Sequence, residues 1–597
     1  MKTIYTALII ILLSSPLVNF IDFDARFLDW QQYYLYSCSL LLVILNCIWG
    51  LFSRGNSTLR VTIFDCVLAG FAAMFFSRFY FTDIFSFTND VFIKFSICIL
   101  LYISIRFSRF DAYPIIRDLY IFLPIFSILL CVYGLMQFLN IIPANNLFFK
   151  MTGLFENPTN FTNFLAMLFP IVLAGFWMQP NQDRWIKVCS LIAIYLMVLT
   201  IYLGNERAAW VAFAAGLLLV ANKKYKLTEF LKNTLKNSKI RYTAFCLVPA
   251  VAAGTFYLLY LMRPESFAGR WLIYKITFRI IRNHPFWGIG AGKFGSVYNL
   301  YQSRYFNGMH TSGYEHKIAD SVDVAFNDFL QLFCEIGIFG FCCVVTAVVI
   351  LIKIYRTVSR EKNDFTTVGL VASLLTVSIT AMFSYPLQNF VIMSYLLVMS
   401  ALLSRKLLIF RTLSQWKSSK FFYNIGGLLY ALILSSLLFN LAKSKLQWKN
   451  MAYNNQDPAR SIRGYKELYV TLKDDRYFLY NYGSEMAADK NYDIGMNILS
   501  RTKRYLVDPD VLIYSGDCLL GLQDYKGAER EYLCAYYMVP KKLLPQYALM
   551  QYYHAINNDK QANAFAEKII KAVPVAYSED ELEIKRQAAQ YLIKNCN

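Results

Sequence analysis

Charge is scarce in this 597-residue chain: Asp, Glu, Lys and Arg make up 16% of it, against roughly 25% in a soluble domain. Histidine is rarer still, with four residues in all. The thirteen cysteines include no Cys-x-x-Cys pair and no Cys/His cluster at zinc spacing, so no metal centre and no cofactor is expected. Most of them, such as Cys38, Cys98, Cys131 and the Cys342–Cys343 pair, lie inside apolar runs and read as small buried hydrophobes. A small-x-small cleavage site is missing too. The first apolar run is followed by Ser14-Ser15-Pro16-Leu17-Val18-Asn19-Phe20, so the stretch from Lys2 to about Ile21 reads as a retained helix, not a signal peptide.

Apolar runs fill the place of the missing charge. The chain is 57% hydrophobic and 17% aromatic, and a bilayer core takes about 20 apolar residues per spanning helix. By that measure thirteen spans are expected, at about 3–21, 33–52, 61–81, 91–106, 119–140, 161–178, 185–204, 208–222, 242–262, 328–355, 366–384, 386–404 and 420–440. The net charge of +20 does not point to nucleic acid, because it sits mainly in short loops between these runs. Alternate loops are basic: Arg54 and Arg60; Arg106, Arg109 and Arg117; Arg184 and Lys187; the lysines between Asn222 and Arg241; Lys353 to Lys362; Arg405 to Lys420. The basic loops are expected to face the cytoplasm. The long segment at about 263–327 then lies outside, and an odd number of spans carries the C-terminus outside as well.

The chain thus divides into a multi-pass membrane domain, 1–440, and a tail, 454–597. In the tail a 34-residue helical period appears: Ala562 and Pro574 repeat Ala528 and Pro540, and Tyr514, Gly516, Tyr525 and Tyr532 stand at tetratricopeptide-like positions. Such repeats stack into a concave surface for a protein or peptide partner. An unrelated helical bundle is the plainer alternative.

Three clusters carry chemistry. Arg207, in Gly204-Asn-Glu-Arg207-Ala-Ala-Trp, sits where the seventh span meets the eighth. It could snorkel and pair with Glu206, or hold phosphate through its paired donors. Arg270, Arg279 and Arg282 follow at helical spacings in the outer segment, ahead of His284-Pro285-Phe-Trp-Gly288-Ile-Gly290-Ala-Gly292. Arg270 brought beside Arg207 would make a cationic site for a diphosphate. The three glycines lack the strand–helix context of a nucleotide loop. The third cluster, Asp320 to Gly340, crosses from the outer segment into the tenth span.

In that third cluster, Asn327, nine residues, Gly337, two residues and Gly340 resemble the signature of O-antigen ligases, O-antigen polymerases and bacterial O-oligosaccharyltransferases. Gly153-Leu-Phe-Glu-Asn157-Pro158-Thr-Asn160, Arg207 and the His284-Pro285-x-x-Gly288-x-Gly290 segment resemble further parts of the same family. Together these stretches cover about 150–400 in the family's order. The resemblance implies an all-α, GT-C-like ligase fold in a bacterial inner membrane, with a periplasmic tail. It also implies metal-independent transfer of a preassembled glycan from an undecaprenyl pyrophosphate carrier to an acceptor hydroxyl on a lipid A core sugar or a protein Ser/Thr.

Arg207, Arg270 and Arg279 would then bind pyrophosphate, and Asn327 would join the catalytic set. One departure matters. The family's His is Phe326 here, and a phenyl ring accepts no proton. His310, His316, Asp320 and Glu335 are the candidate replacements, with Glu315 and Asp323 beside them. A polymerase of the same superfamily and a non-enzymatic scaffold or transporter of envelope glycans are the competing functions.

Overall fold

The structure is a computed structural model that describes residues 2–20, 27, 29–52, 57–146, 148–178, 184–237, 242, 254, 261, 264–308, 313–361, 364–407, 414–418, 420–454, 458–572 and 579–596. Among the described residues the regular structure is helical, apart from one short antiparallel ribbon that pairs Ser57–Val61 with Ser414–Ser418.

The membrane part runs α1 (Lys2–Leu13), α2 (Trp30–Phe52), α3 (Ile63–Tyr80), α4 (Asp90–Arg106), α5 (Ala112–Phe138), α6 (Pro158–Trp177), α7 (Arg184–Leu203), α8 (Arg207–Tyr225) and α9 (Leu227–Thr234). The segment between the spans holds α10 (Pro264–Asn283), α11 (Phe294–Gly308) and α12 (Gly313–Ile318). Four long helices follow: α13 (Asp328–Val358), α14 (Phe365–Phe383), α15 (Phe390–Leu407) and α16 (Lys420–Asn454).

Among the described residues nine helices are long and apolar enough to cross a membrane: α2, α3, α5, α6, α7, α13, α14, α15 and Tyr423–Tyr453 within α16. This is a multi-pass membrane protein. Of the other four expected spans, the first is only 12 helical residues and the fourth 17, while the eighth ends in Lys223 and Lys224. The ninth, 242–262, lies almost wholly outside the described residues.

The centre of the bundle is α6, buried along nearly its whole length between α7, α8 and α14. Without a hydrophobic force between helices in lipid, close backbone approach does much of the work. At Gly369 on α14 an added Cβ would lie 2.8 Å from Ala174 of α6, and at Gly216 on α8 it would lie 2.7 Å from Pro170. At the basic end, buried Arg106 pairs with Asp65 at 2.7 Å, while Tyr102 and Ser404 also donate to that carboxylate. A buried ion pair survives only with such supporting hydrogen bonds.

The opposite end carries an aromatic belt. On α10, Leu272, Ile276 and Ile280 pack inward while Phe267, Trp271 and Phe278 stay exposed. Phe286, Trp287 and Phe339 extend the exposed rings, and Arg78 sits over Trp287 at 5.9 Å. Exposed aromatic side chains at one level mark a membrane–water interface.

Among the described residues the tail holds eight helices: α17 (Pro458–Leu472), α18 (Arg476–Ala488), α19 (Tyr492–Thr502), α20 (Pro509–Gly521), α21 (Tyr525–Met538), α22 (Leu543–Ala555), α23 (Asp559–Lys571) and α24 (Glu579–Cys596). From α18 to α23 they pack in successive pairs, and α22 and α23 begin 34 residues after α20 and α21. Pro574, one of the repeat positions, lies outside the described residues.

The tail does not hang free. Asn299, Gln302 and Ser303 of α11 donate to the carbonyls of Val507, Met538 and Cys534 at 2.7–2.9 Å. Thr88, in the α3–α4 turn, donates to Asp474 at 2.5 Å.

Candidate active site

The signature cluster resolves into one mechanical unit, α13. Asn327 is its N-cap, and its side chain accepts from the Leu330 amide at 3.0 Å. Ten residues on, the helix is interrupted at Gly337 (φ 69°, ψ −173°), a backbone region reserved to glycine. The nine residues between are thus a separate helical segment.

The break frees backbone groups that must be satisfied inside the protein, and the His284–Gly292 loop does it. Ile289 N–H donates to Cys334 O and Gly290 N–H to Glu335 O, both at 2.9 Å, while Ile338 N–H donates to Pro285 O at 3.1 Å. The approach is close enough that a Cβ on Gly288 would lie 2.5 Å from the Glu335 carbonyl, and one on Gly337 would collide with Phe286 O. The glycines are there for contact with a helix.

Glu335 belongs to this junction. Its side chain accepts from the Gly292 amide at 3.1 Å and from Gln331 at 3.2 Å, and it is buried.

Above the N-terminus of α13 a second group of side chains meets. Arg270 donates to the Phe383 carbonyl at 2.7 Å and lies over the Phe326 ring at 5.4 Å. Phe326 sits in the left-handed region (φ 52°) and stands edge-on to Tyr385 at 5.2 Å. The Tyr385 hydroxyl accepts from Asn157 at 3.0 Å, and Tyr274 donates to Phe326 O at 3.3 Å. Asp328, 1% exposed, accepts from the Leu387 amide at 2.8 Å and from Gln388 at 3.4 Å. That carboxylate ties the Tyr385–Gln388 turn to α13.

Arg207 reaches the same helix that carries Arg270. It donates to Ser266 at 3.4 Å, and Ser266 lies one turn before Arg270 on α10. Arg207 thus reaches the first turns of α10, the helix that also carries Arg270.

The remaining candidates lie elsewhere. Arg279 stacks over Tyr305 at 4.6 Å, beside the Lys275–Glu315 pair at 3.0 Å. His316 stands against Phe306 at 4.8 Å, where burial and the Lys568 ammonium hold it below the usual imidazole range. Asp320 faces the tail, 3.3 Å from Lys541 and 3.0 Å from Lys542. Burial pushes its pKa up, but the two ammonium groups outweigh that and hold it low. His310 lies outside the described residues. Among the described residues no group of three or more His, Cys, Asp or Glu is arranged to hold a metal ion.

Residues 162–345 match the family model described as O-antigen ligase. No curated protein sequence matches the chain. The matched stretch runs from the start of α6 to the middle of α13 and contains Arg207, Arg270, Asn327, Glu335 and the helix break. It supports glycan transfer of the ligase or polymerase type from a lipid-linked substrate. Asn157 and Tyr385 fall outside it, and the tail has no part in it.

Proposed function

We propose that the protein transfers a preassembled glycan from an undecaprenyl pyrophosphate carrier to an acceptor hydroxyl at the outer face of a bacterial inner membrane. The observation that carries this reading is the convergence of Arg207 and Arg270 on one end of α10, level with the aromatic belt. A lipid-borne pyrophosphate resides at that depth, with its chain below and its glycan above.

The acceptor oxygen bonds to the anomeric carbon as the bond to the pyrophosphate oxygen breaks; the pyrophosphate leaves with the electron pair, and its oxygen takes up the proton that the acceptor hydroxyl gives up. Arginines fixed where that charge accumulates stabilise the departure. Arg270 is pre-oriented by the Phe383 carbonyl and the Phe326 ring. Phe326 thus supports an arginine at the position where the family carries histidine. Asn327 caps the helix segment that fixes the floor of the site.

The tail, with its 34-residue recurrence and paired helices, reads as a tetratricopeptide-like domain on the periplasmic side. It is docked on the outer segment through α11.

Exchanging Arg207 or Arg270 for Lys tests the reading. Lysine keeps the charge but loses the paired donors. A charge-assisted hydrogen bond contributes roughly 1.5–3 kcal/mol, so each change lowers transfer by about tenfold or more. Wild-type turnover by both variants at normal abundance contradicts it.

A further inference from the structure

At the basic end of the bundle stands one short helix that the core does not cover. No residue of α9 is buried. Its apolar side chains nevertheless share a face. Leu227, Phe230, Leu231 and Leu235, the last just past the final turn, stand at i, i+3, i+4 and i+8. Phe230 is 65% exposed and Leu231 55%. Lys232, Lys236 and Glu229 fall on the opposite face by the same period.

The position of this helix is fixed by its neighbours. Lys226, in the left-handed region (φ 51°), ends α8 and opens α9. The Asn222 side chain accepts from the Thr228 amide at 2.7 Å and donates to the Tyr355 hydroxyl at 2.9 Å. Lys223 donates to the Val358 carbonyl, where α13 ends, at 3.1 Å. α9 is thus pinned where two long helices stop. Rings mark the same level: Lys224 lies over Trp177 at 4.7 Å, Trp177 meets Tyr225 at 5.8 Å, and exposed Trp185 follows Arg184 at the start of α7. Such rings belong at a membrane–water interface. The 19 residues of α8 rise about 28 Å, close to the roughly 30 Å of a bilayer core. Arg207 stands at the other end of α8, beside Ser266 of α10, so α9 begins one bilayer away from the belt on α10.

Charge selects what covers the face. Between positions 223 and 236 the chain carries five lysines and one glutamate, and that Glu229 lies 3.8 Å from Lys226. An uncharged lipid surface would take up the leucines and the phenylalanine but offer the lysines nothing. Anionic headgroups over acyl chains satisfy both faces. Eight residues are too few to hold a helix by themselves, but α8 tethers this one at the surface and supplies a high effective concentration.

We infer that α9 is a lipid-binding foot: it lies in the headgroup layer at the basic end, its Leu/Phe face among acyl chains and its lysines on anionic phospholipid. This surface is remote from Arg207 and Arg270, and the inference does not rest on the proposed function.

The test is backbone hydrogen exchange of the full-length protein in nanodiscs of phosphatidylcholine alone and of phosphatidylcholine with about 30% phosphatidylglycerol. One lysine near an anionic surface contributes roughly fivefold in binding, so the amides of 227–236 are expected to exchange on the order of tenfold slower in the anionic nanodiscs. Lys232→Gln combined with Lys236→Gln is expected to remove most of that difference, and so is salt at about 1 M. Phe230→Ser, or Leu231→Gln in its place, is expected to abolish the protection while the amides of α6 exchange as in the wild type.

Equal exchange in the two lipids by the wild-type protein overturns the inference, and that comparison needs no variant to fold. Protection that persists in detergent without lipid overturns it too, because a second copy or a soluble protein then covers the face. Protection that survives both the lysine changes and the salt overturns the assignment to anionic phospholipid.

Discussion

Replacing Gly337 with alanine probes the junction on which the site is built. Its φ of 69° and ψ of −173° cost a non-glycine residue about 1–3 kcal/mol in strain alone. The added methyl would also collide with Phe286 O, so the His284–Gly292 loop must withdraw. Withdrawal endangers three backbone hydrogen bonds, from Ile289, Gly290 and Ile338, each contributing about 0.5–1.5 kcal/mol. The sum is a local loss of about 3 kcal/mol or more. Asp328 and Asn327 sit on the segment that would shift, so the Tyr385 turn loses its tether as well.

The control is Gly340→Ala. The atoms that an added methyl there would meet first belong to the Ile336 side chain, with no loop backbone among them, and alanine favours a helix. Thermal melting of the detergent-solubilised protein reads the difference. Gly337→Ala should lower the midpoint by roughly 2 °C or more, while Gly340→Ala stays near wild type. A Gly337→Ala protein that melts and turns over like wild type would refute the argument that the break organises the site.

Two further outcomes concern the tail. Asp320→Ala removes two ion pairs that are nearly half exposed, and such pairs contribute only about 0–1 kcal/mol. Turnover should therefore fall less than tenfold while proteolysis of the tail increases; a loss near 10²-fold with unchanged proteolysis would make Asp320 the base. Burial pushes Asp508 up to about 6, with the Asp510 and Asp323 carboxylates adding to it against Lys542 and the Val511 amide. Between the ordinary aspartate value and about 6 the folded tail keeps a proton that the unfolded chain has released, so stability falls as pH rises through that window. Asp508→Asn keeps the cap to Val511 and should flatten this dependence in full-length melting curves; an unchanged slope would assign it to other groups.

Much of this organisation was legible in the sequence because it is local. Apolar length announced the spans, and the spacing of Asn327 from Gly337 is the length of one helical segment between its cap and its break. Arg207 stood out because charge at a span's end is costly, and Arg270 because it stands at helical spacing from Arg279 and Arg282 in the outer segment.

What could not be read depends on contacts between distant residues. Tyr385 meets Phe326 across 59 positions, and nothing in the pair of residues before Pro386 announces it. Asp328 was part of the signature stretch, but its role as tether appears only once the Leu387 amide is beside it. Asp320 and His316, attractive as loop acids and bases, turn toward the tail because α11 docks there. Arg279, nine residues from Arg270, falls on the other side of α10 and stacks on Tyr305.

On the proposed function, a lipid pyrophosphate is released at the Arg207–Arg270 end as its glycan is transferred. The direct measurement supplies the purified full-length protein in liposomes with an undecaprenyl-pyrophosphate-linked glycan and an acceptor that bears a free hydroxyl, and follows free undecaprenyl pyrophosphate and glycosylated acceptor together. The two products are expected in equal amounts, and Arg270→Lys is expected to lower both by about tenfold or more. Product formed at the wild-type rate by Arg270→Lys and Arg207→Lys would contradict it.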